Sequence, residues 1–243
     1  MPHRFFVPPE NISETGVSFT PAQAHQMARV LRLRPGDEVE ALDGRGSRYA
    51  VRLNEVDPAR ASGSLLESGP AGGEPATRLC LWQGLLKGDK WEWVLQKGTE
   101  IGVSLFVPVV CKRSVAKIAG EAQHGRTSRR TAILQEAAEQ CGRGRIPELR
   151  APVSWDQACR AAAGESLVLY EGERNVRLKE ALSKLGGNEI HLLLGPEGGL
   201  ADEEVALARK LDIPTVSLGP RILRAETAAV AAAALVLYER GDL

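Results

Sequence analysis

The sequence predicts an α/β fold in which a parallel sheet, covered by helices on both faces, follows a small β-rich unit. Three observations carry this. From Leu79 onward, short continuous apolar runs alternate with helix-forming stretches, the pattern of strands buried on both faces. Before Ser68, short strands are separated by turn residues, which suits a small barrel. Between the two lies Ser68-Gly-Pro-Ala-Gly-Gly-Glu-Pro75, where five of eight residues are Gly or Pro, a composition that suits a linker. The predicted division is therefore residues 1–70, a linker at 71–76, and residues 77–243.

In the first unit, Phe5-Phe6-Val7 forms a short apolar strand. Thr20-Pro21-Ala22-Gln23 starts a helix, with Thr20 as N-cap, Pro21 at the first helical position and Gln23 closing a capping box. That helix should run to Leu33 and stop before Pro35-Gly36. Strands follow at Glu38–Leu42, Arg48–Val56 and Ala61–Glu67. In the second unit, strands are expected at Leu79–Gln83, Leu105–Val110, Leu167–Tyr170, Ile190–Leu194 and Thr215–Leu218. Helices are expected at Lys90–Glu100, Ser128–Cys141, Val176–Leu185, Asp202–Leu211 and Ala225–Arg240. The last helix is apolar all round from Ala228 to Tyr238, which calls for burial on every side and points to a subunit interface.

Composition narrows the function. Of 243 residues, 43% are hydrophobic and 26% charged, as in soluble globular chains. No apolar run approaches the roughly 18 residues of a membrane helix. The start, Met1 to Pro9, lacks the apolar core and cleavage site of a signal peptide. The expected location is the cytoplasm, away from any membrane. Lys plus Arg equals Asp plus Glu at 31 each, but the charge is segregated: residues 112–150 hold nine basic and four acidic side chains, and residues 151–243 ten and fourteen. Cys80, Cys111, Cys141 and Cys159 show no CxxC spacing, and His3, His25, His124 and His191 form no ligand motif. Reduced thiols and no metal are expected.

Two strand-to-helix loops stand out. Leu194-Gly-Pro-Glu-Gly-Gly199 follows one predicted strand, at the carboxyl edge where ligands bind in open α/β sheets. It matches neither GxGxxG nor GxxxxGK[ST] and holds no cation. It suits a neutral or cationic ligand better than a triphosphate, with a tight glycine-capped turn as the competing reading. Leu218-Gly-Pro-Arg-Ile-Leu-Arg-Ala-Glu-Thr227 follows the next strand. Here Arg224 and Glu226 lie close enough to act on one ligand; the competing reading is a helix-terminal ion pair with Thr227 as a cap.

Together these two loops resemble the RsmE family of ribosomal RNA uridine-N3 methyltransferases, in the SPOUT superfamily. His3-Arg-Phe-Phe-Val7, Val30-Leu-Arg-Leu-Arg-Pro-Gly-Asp37, Gln96-Lys-Gly-Thr-Glu-Ile-Gly-Val103 and Glu136-Ala-Ala-Glu-Gln-Cys-Gly-Arg143 resemble that family in the same order. Small departures are Ile101 for Leu, Cys141 for Ser and Ala225 for Thr. The resemblance implies a PUA-like β-barrel followed by a SPOUT methyltransferase domain with a deep C-terminal trefoil knot. It implies S-adenosylmethionine held by Leu169, Tyr170 and Glu171, by Leu194, Gly195, Pro196, Glu197, Gly198 and Gly199, and by Leu218, Gly219, Ile222, Leu223, Arg224 and Thr227. The reaction would methylate N3 of a uridine in 16S ribosomal RNA of the small subunit, by a homodimer. Arg224, then Arg221, is the candidate to stabilise charge developing on the uracil, and Glu226 to accept the N3 proton. RNA contacts are expected from Arg4, Arg32 and Arg34 in the first unit and from Lys87, Lys97, Arg113 and Arg143 in the second, each with a solvated surface charge as the competing reading. Gly125–Arg130 is read as a flexible basic loop. Trp82, Trp91 and Trp93 suit core packing better than base stacking. Alternatives are a SPOUT enzyme acting on a transfer-RNA ribose hydroxyl and a non-catalytic RNA-binding protein.

Overall fold

The computed structural model describes residues 2–115 and 122–243, with the backbone alone for 122–127. The chain divides into two compact units. The first holds the chain up to Glu74 together with Ala138–Ile146, and the second holds Pro75–Ala137 and Pro147–Leu243. The break near the Gly/Pro-rich stretch is thus joined by a later segment, 138–146, that belongs with the first unit.

The first unit is a five-stranded mixed sheet: β1 (His3–Phe6), β2 (Gly16–Phe19), β3 (Glu38–Leu42), β4 (Ser47–Val56) and β5 (Ala61–Pro70), in the order β1-β3-β4-β5-β2. β1 runs parallel to β3, and the other pairs are antiparallel. Alternate residues Phe5, Val17, Phe19, Val39, Ala41, Val51 and Leu53 fill its core with Ala24 and Met27, the period-2 burial a half-covered sheet requires. The capping box forms as read: the Gln23 N–H donates to Thr20 Oγ1 at 3.3 Å and the Thr20 N–H to Gln23 Oε1 at 3.0 Å. The helix it starts, α1 (Pro21–His25), does not run to Leu33. It widens into a π-helical stretch, Gln26–Leu31, and stops at Arg32 with a left-handed φ of 57°. That wider winding seats Leu31 and Leu33 against the core.

The second unit contains β6 (Arg78–Gly84), α2 (Lys90–Ile101), β7 (Leu105–Val110), β8 (Glu148–Leu149), β9 (Val153–Ser154), α4 (Trp155–Ala161), β10 (Ser166–Leu169), α5 (Leu178–Leu182), β11 (Glu189–Leu194), α6 (Asp202–Lys210), β12 (Thr215–Val216) and α7 (Ala225–Arg240). Its sheet order is β12-β10-β11-β6-β7-β8, with β9 also on β7, and every pairing is parallel. Trp82, Val107, Val168 and Leu193 pack on one side against Trp155 and Ala158 of α4 and Val205 and Ala208 of α6. α7 packs against α2, β6 and β11. α3 (Ala122–Cys141) runs through Gly125–Arg130, so the basic stretch expected as a loop is helical. Residues 116–121 of the basic segment lie outside the described residues.

The final helix is covered on one face only within this chain. Ala229, Ala232, Ala233, Val236 and Leu237 are buried, but Leu235 is 50% and Tyr238 69% exposed. One face is covered and the other presents apolar side chains to solvent. Among the described residues no helix is long and apolar enough to cross a membrane.

At the end of β6, the chain passes so close to the Leu194–Gly199 loop that only glycine fits. A Cβ on Gly84 would lie 2.4 Å from the Pro196 backbone nitrogen and 2.6 Å from the Gly195 carbonyl carbon. Gly84→Ala should therefore destabilise the protein by about 1–3 kcal/mol, the usual cost of overpacking. Urea unfolding checks this, and an unchanged midpoint would contradict the contact.

Candidate active site

Strands β11, β10 and β12 are neighbours with a common direction, so the loops leaving their carboxyl ends emerge side by side. Those loops enclose a cleft of about 530 Å³. Leu169, Tyr170 and Glu171 enter it from the first loop, Leu194 through Gly199 from the second, and Leu218, Gly219, Ile222, Leu223 and Arg224 from the third, followed by Glu226 on α7. The structure thus brings these expected residues to one cavity. Thr227 is the exception: it is exposed on the first turn of α7 and does not line the cleft.

Each loop is held by specific bonds. The first is organised by Glu173, whose Oε1 accepts the N–H groups of Arg174, Asn175 and Val176 at 3.0, 2.9 and 3.4 Å. Its Oε2 accepts the Thr215 hydroxyl at 2.6 Å. The Thr215 hydroxyl and then these backbone donors stabilise the charged form, so its pKa falls from 4.5 to about 2. The segment after β12 is strapped to this loop, with the Ser217 N–H donating to Val176 O at 2.9 Å and the Leu178 N–H to Ser217 O at 3.1 Å. These bonds explain why α5 begins at Leu178 rather than Val176, and why β12 stops at Val216 rather than Leu218. The second loop is anchored by Gln83, whose Nε2 donates to Gly195 O at 2.9 Å, and by the Lys87 N–H, which donates to Glu197 Oε1 at 2.9 Å. In the third, Gly219 has φ +121° with no atom within 4 Å of a would-be Cβ, leaving the backbone bare toward the cavity.

Both signs of charge line the cleft, with Lys90, Arg174, Arg221 and Arg224 sharing its wall with three glutamates. Glu171, Glu197 and Glu226 line it. Burial opposes the charge on Glu197, but the Lys87 amide and the Lys90 ammonium outweigh it and hold its pKa below the usual carboxylate range. Glu226 Oε2 is buried without a hydrogen-bond partner. Arg113, Arg174, Arg221 and Arg224 are exposed and have no carboxylate within 4 Å among the described residues. Arg113 and Arg174 are instead steadied by the carbonyls of Gly198 and Glu171, at 3.3 and 3.0 Å. Lys90, Arg174, Val216, Ser217, Ala225 and Ala228 line the cleft without having been expected there. For Lys90 a signal existed: a cation on the first turn of a helix opposes the helix dipole.

The expected RNA contacts divide. Arg32, Arg34, Lys87 and Arg113 are exposed. Arg4 is paired with Glu40 at 2.7 Å and Lys97 with Glu100 at 2.8 Å. Arg143 is only 3% exposed and makes two bonds to Glu74, from Nη2 at 2.8 Å and Nε at 3.2 Å. Its guanidinium therefore holds the first unit together and is not available to a phosphate. Trp82 and Trp91 are buried, while Trp93 is 41% exposed.

Between the central strands β6 and β11, away from the carboxyl ends, Cys80, Glu189 and His191 converge with ligand atoms within 4.8 Å of one another, a grouping that sequence spacing hid. Trp82 Nε1–H donates to His191 Nδ1 at 3.0 Å, and His191 Nε2 faces Glu189 Oε1 at 3.3 Å. Burial lowers the pKa of His191 and pushes that of Cys80 up to about 12. This is the hydrogen bonding of a neutral imidazole with its proton on Nε2. A cation at Nε2 would require the proton on Nδ1, and so the loss of the Trp82 bond.

The RNA methyltransferase domain family matches residues 73–237, and the RNA methyltransferase PUA domain family matches residues 19–65. Ribosomal RNA small subunit methyltransferase E of Bacillus subtilis is 33% identical over 93% of this chain and 92% of its own length. The protein of that name from Synechocystis is 36% identical over 97% of this chain and 77% of its own. The chain belongs to the ribosomal RNA small subunit methyltransferase E family. A crystal structure of the methyltransferase E from Neisseria gonorrhoeae bound to S-adenosyl methionine superposes with a TM-score of 0.88, at 29% identity, over 98% of both chains. In this methyltransferase E chain the cleft sits on loops that the resemblance had singled out.

The Glu173 clamp has a pH signature. A carboxyl with its folded pKa depressed to about 2 stabilises the fold fully above its ordinary value of 4.5, and that contribution fades as pH falls toward 2. Glu173→Gln should unfold earlier in urea than the parent protein at pH 7, and the gap should narrow between pH 4.5 and pH 2. A gap of constant size would refute the clamp.

Proposed function

We propose that this protein transfers a methyl group from S-adenosylmethionine to N3 of one uridine in 16S ribosomal RNA of the small subunit. The observation that carries the reading is the convergence of three carboxyl-end loops on one cleft. The methyl donor fits the residues present: it has no phosphate to demand a basic cradle, and it carries a positive sulfonium. An orphaned carboxylate oxygen on Glu226, with Glu171 and Glu197 beside it, suits a cationic occupant. When bound, S-adenosylmethionine supplies an electrophilic methyl on positively charged sulfur.

The chain's own residues divide the remaining work. Backbone groups of Gly195 to Gly199 and Gly219 face the donor, while Leu218, Ile222 and Leu223 give apolar cover. Arg224, at the N-cap of α7 and unpaired with any carboxylate among the described residues, stabilises negative charge on the uracil carbonyls as N3 loses its proton. Glu226, two residues on, is the proton acceptor. The exposed guanidiniums of Arg113, Arg174 and Arg221 supply phosphate contacts at the cleft, and Arg32 and Arg34 offer phosphate contacts on the first unit.

The five-stranded sheet of the first unit serves as a PUA-like barrel that holds RNA. The C-terminal segment is read as threaded through the loop after β10, forming a trefoil knot. Support comes from its bonds to Val176 and Leu178 on that loop before it returns to α7. The bare apolar face of α7, with Leu235 and Tyr238, fits a second copy of the chain in a symmetric dimer. The cytoplasm, where ribosomal subunits are built, is the working location.

Mass mapping of methylated nucleotides in ribosomal RNA from cells lacking the protein tests the substrate. One small-subunit uridine should lose its N3 methyl; a lost ribose methyl on transfer RNA would favour the other enzyme class. Calorimetry should show S-adenosylmethionine binding, and its absence would leave a non-catalytic RNA-binding protein. Arg224→Ala should lower turnover by about 10²–10³-fold, as loss of a charge-stabilising donor does, with cofactor affinity nearly unchanged. Equal loss of both would make Arg224 a binding residue.

A further inference from the structure

Lys90 occupies a position that helix formation alone disfavours. It is the first residue of α2, where the helix dipole repels a cation. Its compensation comes from elsewhere in the unit. Lys90 Nζ lies 3.5 Å from Glu197 Oε1 on the loop after β11 and 3.5 Å from Glu226 Oε1 on α7. One ammonium therefore ties the start of α2 to two of the elements that build the cleft. Glu226 is the more shielded carboxylate, its side chain 13% exposed against 25% for Glu197. With Oε1 turned to Lys90, the other oxygen, Oε2, has no hydrogen-bond partner. A local violation of helix rules, repaired by long-range contacts at a cavity, marks a position kept for function.

We propose that Lys90 is a positioning residue for methyl transfer: held between Glu197 and Glu226, it fixes the Glu226 carboxylate at the cleft wall, with the oxygen that is shielded from solvent and unpaired among the described residues as acceptor of the uracil N3 proton. This rests on the uridine-N3 reading. The proton passes from N3 to the carboxylate, and the N–H electron pair stays on nitrogen. That pair forms the new N–CH₃ bond as the C–S bond breaks and its electrons remain on sulfur. Glu226, now a carboxylic acid, returns its proton to water once the product has left.

The test uses the full-length protein, S-adenosylmethionine and small ribosomal subunits lacking the modification. Lys90→Ala should lower kcat by about 10²-fold or more, the low end of the range attributed to a placed general base, with cofactor affinity by calorimetry changed less than about threefold. Lys90→Arg, which keeps the charge, should recover most of the rate. Lys90→Gln keeps the length of the stem and serves should the alanine variant not fold. If Lys90 acts through Glu226, adding Lys90→Ala to Glu226→Gln should cost no further rate, because the two belong to one unit. RNA carrying 5-fluorouridine at the target, whose N3 proton is more acidic, should restore both variants more than it speeds the parent. Multiplying losses in the double variant, no fluorouridine rescue, or a Lys90→Ala defect confined to cofactor binding would overturn the role of Lys90 while N3-methyluridine still forms. A product methylated at another atom would overturn the uridine-N3 reading and this inference together.

Discussion

The cleft depends on the parallel pairing of β10 with both β11 and β12. Val168 and Leu169 pair with Thr215 and Val216 on one side, and with Leu193 and Leu194 on the other. Because all three strands point the same way, their carboxyl-end loops have no choice but to emerge together. The register also brings Thr215 to Glu173, so that a buried carboxylate fastens the loop after β10 to the strand beside it. The Ser217 bonds to Val176 and Leu178 complete the strap. The glycines of the other loops can then lie open toward the cavity without losing their place.

Both signs of charge meet over a short distance. Glu171, Glu197 and Glu226 share the cleft wall with Lys90 and three arginines, and Arg174 and the neighbouring Arg113 are bonded to carbonyls rather than carboxylates. An arginine steadied by a carbonyl keeps its full charge for a partner; one paired with glutamate has much of it neutralised. This distinction separates Arg113 and Arg174 from Arg4 and Arg143. Carboxylates that can face a sulfonium and guanidiniums that can face a polyanion are thus both present at one cleft.

Much of the second unit was legible because buried parallel strands must be apolar throughout. β7 and α7 match their predicted bounds, and β6, β11 and α6 differ by a residue or two. α4 was overlooked although Ser154 and Gln157 form a capping box of the kind recognised at Thr20. The errors elsewhere have a common cause. α1 was expected to continue regularly, but the core drew Leu31 and Leu33 inward and opened its winding. Val176 looked helical, but its carbonyl is bonded to Ser217, forty-one positions later.

What the sequence determined by itself was the local and the repetitive: the strand–helix alternation, the helix caps, the glycine loops and, through their order, the family. Apolar periodicity and capping act within a few residues, so they are visible in the chain as written. Tertiary structure alone decided which charges are free. Arg143 and Arg224 are equally basic in the sequence, yet one is buried on Glu74 and the other stands open at the cleft. It also decided that Lys90 meets Glu197 and Glu226, more than a hundred positions away. Electrostatic pairing depends on distance in space, and a linear sequence does not record that distance.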